Sequence, residues 1–342
     1  MNILYGIATT GNGHISRSRV IVDALKKRGH SIDVILSGRD KKDLFDIDDF
    51  KPFQIKKGFT FVTNNGKINY LKTVLKSSPI QFLNDIKSID NNYDLVITDF
   101  DPISAYAAKK YKIPCMGIGH QYSFYKNIPM TKKMKFISIF FPKIYAPANF
   151  TIPFHFYHFN QSILPPFIDS RLYEADSIHQ KKSNILVYLP WENLKSMISI
   201  LKKIAEEFIL FILYTDIESI EKHGNVTLKP FSNITFKEDL IQCSGLITNA
   251  GFQLPSEALF LGKPILCKPL DRQPEQEHNA KILKELGYAT VCDRINIENI
   301  QSWMKNKIDV KISFRDPMNL IIEVIENPEI NFSDKVMELW RK

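Results

Sequence analysis

The chain is poor in cysteine, has no long apolar run and keeps acid out of much of its first half. Its 342 residues include four cysteines, Cys115, Cys243, Cys267 and Cys292, far apart and with no CxxC pair. That argues against a zinc site and a secreted disulfide framework, and for free thiols in a reducing cytoplasm. No stretch approaches the ~20 apolar residues of a membrane-spanning helix. The opening MNILYGIATTGNGH lacks the basic and apolar regions of a secretory signal, so a cytoplasmic location is expected. The first 168 residues contain no glutamate: 23 Lys and Arg stand against 12 Asp, leaving 22 basic and 25 acidic residues to the remainder. Pro102 to Ile168 holds eight lysines and no acid. A basic half joined to a slightly acidic one suggests two domains with different partners, the basic one favouring an anionic surface or ligand. No recognised nucleic-acid motif accompanies the charge, so nucleic acid is not expected as a partner.

What is present reads as an α/β protein. Apolar residues at 44% exclude a disordered chain. Strands are predicted at Asn2–Ala8, Ser31–Leu36, Leu95–Thr98 and Pro114–Ile118, with a weaker pair around Phe53–Val62. Helices are predicted from Ile15 to Arg28-Gly29, across roughly Ile68–Ser88, and over Ser104–Tyr111. The second half repeats the scheme, with strands at Asn184–Leu189, Ile209–Leu213, Gly245–Thr248 and Pro264–Cys267. A single helical stripe runs from Leu194 to Phe208. Such alternation implies parallel sheets covered on both faces. Thr151–Gln180, with Pro153, Pro165 and Pro166, is the best linker candidate.

Gly11-Asn12-Gly13-His14 joins the first strand to the first helix, at the strand ends where α/β sheets bind ligands. It is neither the GxGxxG dinucleotide fingerprint nor a P-loop. A histidine there sits at a helix N-terminus, whose dipole favours the neutral imidazole that a general base needs. The alternative is an ordinary capping residue. Asp99 follows a strand and could orient the imidazole and stabilise its protonated form. Asp101 competes for that role, although its position before Pro102-Ile103 reads as a helix N-cap.

The densest signal is Gly245–Ala280. A buried strand runs into Asn249-Ala250-Gly251 and then a helix, a junction where backbone N–H groups can approach a phosphate. Glu257 lies in the first turns, where it could accept from ribose hydroxyls. A further strand delivers the polar loop Asp271–Gln276, suited to sugar hydroxyls.

Together these pieces resemble the two-domain glycosyltransferases of GT-B architecture, particularly the branch containing the bacterial enzyme that adds N-acetylglucosamine to lipid I and the UDP-glycosyltransferases. The shared motifs are Gly11-x-Gly13-His14-x-x-Arg17, Asn249-Ala250-Gly251-Phe252, Ser256-Glu257-Ala258-Leu259, Gly262-Lys263-Pro264 and Gln273-x-x-Gln276-x-x-Asn279-Ala280. The resemblance implies two Rossmann-like parallel-sheet domains facing each other across a cleft. An acceptor domain would span 1–160, a linker 161–183, a nucleotide-sugar domain 184–315, and a C-terminal helical segment 316–342 that crosses back to the first domain. It implies His14 as the base on the acceptor hydroxyl and Asp99 as its carboxylate partner. Gly11, Gly13, Arg17, His120 and Gln121 would lie on the acceptor side. Asn249, Gly251, Phe252 and Ser256 would border the donor diphosphate, with Glu257 on its ribose and Phe236, in a preceding loop, beside the base. Gln273, Glu275 and Gln276 would face the transferred sugar.

One departure stands out. Where the lipid-linked branch has a Gly/Ser-rich loop, this chain has Leu189-Pro190-Trp191-Glu192-Asn193. Pro190 has no N–H for a phosphate, and Glu192 would repel one unless it points away. UDP is expected from the family alone. No metal or other cofactor is expected: Asp99-Phe100-Asp101 has the spacing of an Asp-x-Asp metal site but lies in the acceptor half. The implied reaction is inverting transfer to a glycan or lipid-linked hydroxyl. The alternatives are hydrolysis of the nucleotide sugar, or a non-catalytic sugar-nucleotide-binding subunit of a membrane complex. Lys126–Tyr145 (KNIPMTKKMKFISIFFPKIY) fits peripheral contact with the inner face of an anionic membrane, or else a core segment with a solvated lysine face.

Overall fold

The computed structural model describes every residue except 45, 59–62, 65–66, 69–77, 131–142, 175–182, 206–207, 213–216, 218, 231 and 342. The chain divides into two compact units, one of residues 1–62, 69–167 and 314–342, the other of 63–68 and 168–313.

The first unit starts with β1 (Asn2–Ala8), buried from Ile3 onward, and α1 (Asn12–Lys27), whose Ile15, Ile21, Val22 and Leu25 face the core. The α1 helix closes on Arg28 with Gly29 in the left-handed region, where the absence of a Cβ removes the strain. There follow β2 (Ser31–Ser37), β3 (Phe53–Lys56), α2 (Pro79–Lys87), β6 (Leu95–Asp99), α3 (Pro102–Tyr111), β7 (Cys115–Gly119) and β8 (Phe150–Pro153); the two-residue strands β4 (Thr63–Asn64) and β5 (Lys67–Ile68), between β3 and α2 in the chain, pair with each other and fall in the second unit. The six-stranded sheet runs β3-β2-β1-β6-β7-β8, and all its pairs are parallel. The chain leaves β1 toward β2 on one side and resumes with β6 on the other. The carboxyl ends of β1 and β6 therefore form the topological switch point, where such sheets open a crevice.

The second unit contains α4 (Ser170–Glu174), β9 (Ile185–Tyr188), α5 (Leu194–Leu201), β10 (Phe208–Ile212), β11 (Glu221–His223), β12 (Val226–Pro230), α6 (Asn233–Gln242), β13 (Gly245–Asn249), α7 (Gln253–Phe260), β14 (Ile265–Lys268), α8 (Pro274–Glu285), β15 (Thr290–Val291) and α9 (Ile297–Lys305). Its sheet runs β11-β12-β10-β9-β13-β14-β15, parallel except for β11 against β12. Here the switch point lies between β9 and β13. Ile185, Val187, Leu201, Val226, Ile247, Leu266 and Trp303 share one core cluster. After it, α10 (Met318–Glu326) and α11 (Phe332–Glu338) belong to the first unit. Trp340 Nε1 donates to the Ile163 carbonyl at 2.7 Å, and His30 Nε2 lies 3.1 Å from Glu326 Oε1.

Three expectations change. Thr151–Gln180 is not simply a linker, because β8 at its start is the edge strand of the first sheet. The stripe from Leu194 to Phe208 is not one helix: α5 stops at Leu201, Asn225 Nδ2 takes the carbonyls of Leu201 and Ile204, and Phe208 opens β10. The helix expected from Ile68 is described only as Pro79–Lys87, the residues 69–77 lying outside the described set. The apolar run Phe136–Phe141 and Lys132, Lys133 and Lys135 also lie outside it. Among the described residues no helix is long and apolar enough to cross a membrane.

Candidate functional site

At the switch point of the first sheet, β1 and β6 are in register with Ile7 beside Asp99. The loop after β1 carries the chain into α1, so the first turn of that helix sits above the end of β6. His14 Nδ1 lies 2.7 Å from Asp99 Oδ1. Arg17 holds both oxygens of the same carboxylate, Nε to Oδ2 at 3.0 Å and Nη2 to Oδ1, and Ser18 Oγ donates to Oδ2 at 2.9 Å. Asp99 is fully buried and Arg17 nearly so, whereas the His14 side chain keeps 13% of its surface open. Burial alone would raise the Asp99 carboxyl. The Arg17 and His14 charges and their hydrogen bonds outweigh it and hold the group below the usual carboxylate value.

This fixes the tautomer. An ionised carboxylate only accepts, so the proton between the two groups belongs to His14 Nδ1. Arg17 Nη2, 3.3 Å from that nitrogen, is a neighbour sharing the same oxygen rather than a donor to it. The neutral ring then carries its lone pair on Nε2, the nitrogen turned away from Asp99. Asp101 does not compete: it N-caps α3, accepting from Ser104 N at 2.7 Å and from Ser37 Oγ, and burial raises its carboxyl.

Gly11 is the N-cap of α1, where a Cβ would meet nothing within 4 Å, and Gly13 lies in the first turn. Asn12 Oδ1 accepts from Arg39 Nη2 at 2.7 Å. Three residues expected on the acceptor side are buried instead. Arg17 is engaged with Asp99 and lies over the Phe154 ring. His120 is 1% exposed, with Nδ1 on the Phe154 carbonyl at 2.9 Å and its ring against His155 and Phe124. Gln121 is buried as well; a Cβ on Gly119 would touch its Oε1 at 3.2 Å and Arg17 and Asp99 at 3.5 Å. Gln121 therefore borders the ion pair. His155 and His158 each accept a local backbone N–H, as linker-type residues would.

At the second switch point, β13 ends in Asn249 and turns through Ala250-Gly251 into α7, which is N-capped by Phe252, a side chain with no acceptor. A Cβ on Gly251 would meet nothing within 4 Å. Asn249 Nδ2 donates to the Lys268 carbonyl at 2.9 Å, and its Oδ1 has no hydrogen-bond partner among the described residues. Several expected ligand groups are spoken for. Ser256 Oγ donates back to the Phe252 carbonyl at 2.8 Å. Glu257 is buried, ion-paired with Lys237 and bonded by Gln253 Nε2 at 3.0 Å. Gln273 Oε1 caps α8 at Gln276 N, and Gln276 Oε1 accepts from Leu270 N at 2.8 Å. Glu275 lies in the first turn of α8. Phe236 is not in a loop: it is inside α6, buried, with its ring edge-on to Tyr188 at 5.2 Å. Glu192 points to Lys268 Nζ at 2.5 Å, so it does not stand alone against an anion.

The description of glycosyl transferase family 1 matches residues 1–307. The chain belongs to that family. It is thus a glycosyltransferase. A relative from Methanosarcina acetivorans, named as an uncharacterised glycosyltransferase, is 25% identical over 329 residues, covering 84% of this chain and 82% of its own. Among solved structures, Phytolacca americana UGT2, complexed with UDP-2-fluoro-glucose and pterostilbene, has a TM-score of 0.60 at 13% identity, covering 98% of both chains. Acinetobacter baumannii MurG has a TM-score of 0.55 at 15% identity, covering 95% of this chain and 99% of its own. The two parallel sheets are those of the GT-B fold.

Four residues of this glycosyltransferase escaped the sequence reading: Ser18 on Asp99, Gly119 beside it, Lys237 on Glu257 and Lys268 on Glu192. Ser18 could have been found one turn after His14 on the same helix face. The lysines had no local signal, because their partners come from other elements. The thiols are not rival nucleophiles: burial pushes Cys115 up to about 12 and Cys292 up to about 11.

Proposed function

We propose that this glycosyltransferase moves a sugar from a nucleotide diphosphate donor, UDP-sugar first among the candidates, to a hydroxyl of a lipid-linked or surface-glycan acceptor, with inversion and without a metal. The observation that carries the reading is the His14–Asp99 contact, with the carboxylate fixed by Arg17 and Ser18. His14 Nε2 takes the acceptor hydroxyl proton while the acceptor oxygen bonds the anomeric carbon. The bond from that carbon to the diphosphate breaks, and the nucleoside diphosphate leaves with the electron pair. Asp99 stabilises the imidazolium that forms, and Arg17 and Ser18 stop the carboxylate from rotating away. Such a base contributes about 10²–10⁴-fold. The donor side rests on the Gly251 turn and the start of α7, where positive helix potential meets the charge of the leaving group. Glu257, pre-paired with Lys237, is assigned to the ribose; Phe252 borders the diphosphate, and Gln273, Glu275 and Gln276 shape the wall facing the sugar.

The test is nucleoside diphosphate release from UDP-, dTDP- and GDP-sugars in the presence of candidate glycan and polyprenyl-linked acceptors, with wild type and His14→Ala. Inverted product from wild type, and a loss of at least a hundredfold in the variant, supports the reading. Turnover within tenfold of wild type removes His14 as base.

A further inference from the structure

Lys268 ends β14, and Glu192 lies in the loop that follows β9. These two strands flank β13 in the sheet. Their ion pair, Lys268 Nζ to Glu192 Oε1 at 2.5 Å, therefore reaches across the end of β13, where the chain turns through Gly251 into α7. Both side chains are largely buried, at 7% and 14% exposure, and Asp271 Oδ1 stands 3.9 Å from the same ammonium. The base of the lysine is fixed by the strand ladder and by Asn249 Nδ2 on its carbonyl.

Two positions of the loop carrying Glu192 have no N–H to offer an anion. Pro190 lacks an N–H, the Glu192 N–H is spent on the Leu189 carbonyl at 3.0 Å, and Asn193 Oδ1 caps α5 at Ser196 N. The Pro190 and Glu192 positions thus offer an anion no N–H, while a buried ammonium stands beside them. An ammonium has three donors, and among the described residues the one carboxylate within hydrogen-bond distance of this one is that of Glu192, while a phosphate oxygen is a strong charge-assisted acceptor.

We propose that the Lys268 ammonium is the counter-charge for the donor's diphosphate, held by Glu192 in the unliganded protein and turned to the phosphate when the nucleotide binds. This rests on the donor-site reading above and deepens it. Glu192 sets how strongly the lysine is held back, and Lys268 replaces in function the N–H that Pro190 cannot give. The pair also makes the site discriminate by phosphate count, since only a ligand with phosphate next to the Gly251 turn competes with the Glu192 carboxylate.

The experiment is calorimetric titration of UDP, UMP and uridine, and of dTDP and GDP, into wild type, Lys268→Met, Lys268→Arg and Glu192→Gln. Lys268→Met should weaken the best nucleoside diphosphate by about tenfold, ~1.4 kcal/mol, while leaving its nucleoside within twofold. Lys268→Arg should recover most of the loss, and Glu192→Gln should tighten the diphosphate several-fold. Glu192→Gln and Lys268→Arg keep the test decisive if Lys268→Met does not fold. Unchanged diphosphate affinity in Lys268→Met or Glu192→Gln, or equal losses for diphosphate and nucleoside, overturns the role of Lys268 and leaves the donor site standing. Wild type that binds no nucleoside diphosphate overturns both.

Discussion

His14 Nδ1 and Asp99 Oδ1 lie 2.7 Å apart although 85 positions separate them along the chain. The sheet makes the meeting unavoidable. With β1 and β6 adjacent and parallel, Ile7 pairs with Asp99, and the residues just after β1 pass over the end of β6. Arg17 and Ser18, three and four residues beyond His14, lie on the same face of α1 and reach the same carboxylate.

Replacing His14 by Ala should lower turnover by about 10²–10⁴-fold, the range for loss of a general base. The affinity for donor should change little, because the residues proposed for the donor lie on the other sheet. Steady-state kinetics beside nucleotide titration separates the two effects.

Asp99→Ala removes the partner of a buried Arg17 and should cost about 3–5 kcal/mol of stability, the range for breaking a buried pair. Asp99→Asn should be milder in stability yet still slow, because an amide no longer holds the Nδ1 proton as a carboxylate does. The acid side of the stability profile carries the sign. The folded carboxyl titrates below its unfolded value of about 3.9, so its contribution is complete above that pH and is lost as pH falls toward the folded value. Urea midpoints between pH 5 and pH 2.5 should fall more steeply for wild type than for Asp99→Asn.

Asp101 has the opposite sign. Its folded carboxyl holds a proton more tightly than the unfolded one, so its contribution to stability declines as pH rises from about 4 through the folded value. Asp101→Asn should flatten that decline while keeping an acceptor for Ser104 N, whereas Asp101→Ala should lose the cap, about 0.5–2 kcal/mol. The measurement is the same urea series.

Two glycines should respond in opposite ways to alanine. A Cβ on Gly6 would lie 1.9 Å from Ser104 Oγ and 2.6 Å from Asp101 Oδ2, so Gly6→Ala should destabilise by at least about 1–3 kcal/mol. Gly251→Ala meets nothing within 4 Å and should fold normally. Its methyl would stand at the proposed approach of the diphosphate to α7, so on that proposal UDP should bind about tenfold more weakly, ~1.4 kcal/mol. Thermal unfolding and titration on the same two proteins check both halves.

Much of this was legible in the sequence, for definite reasons. Strand–helix alternation gave the sheets, and the two Gly-bearing turns stood out because they break apolar runs at strand ends. The His14–Asp99 pairing followed from the same rule. Side-chain occupancy was not legible. Gln273 and Gln276 read as ligands for hydroxyl groups, yet their carbonyls close the start of α8 and the loop before it. Arg17 was expected on the acceptor side from the resemblance, and it is a buried strut on Asp99. Lys237 meets Glu257 only because α6 and α7 come together, which no local spacing encodes.

The helices α10 and α11 complete a unit whose other parts end at Phe167, before the chain enters the second unit and returns at Phe314. Ser162 Oγ bonds Ser333 Oγ at 2.8 Å, and Trp340 reaches back to Ile163. During synthesis on the ribosome the six-stranded sheet can assemble early, but the cover supplied by Ile321, Ile322, Val324 and Ile325 emerges last. The nascent first lobe must therefore wait with apolar surface uncovered while the whole second lobe is translated. A premature stop before Met318 would leave it so for good.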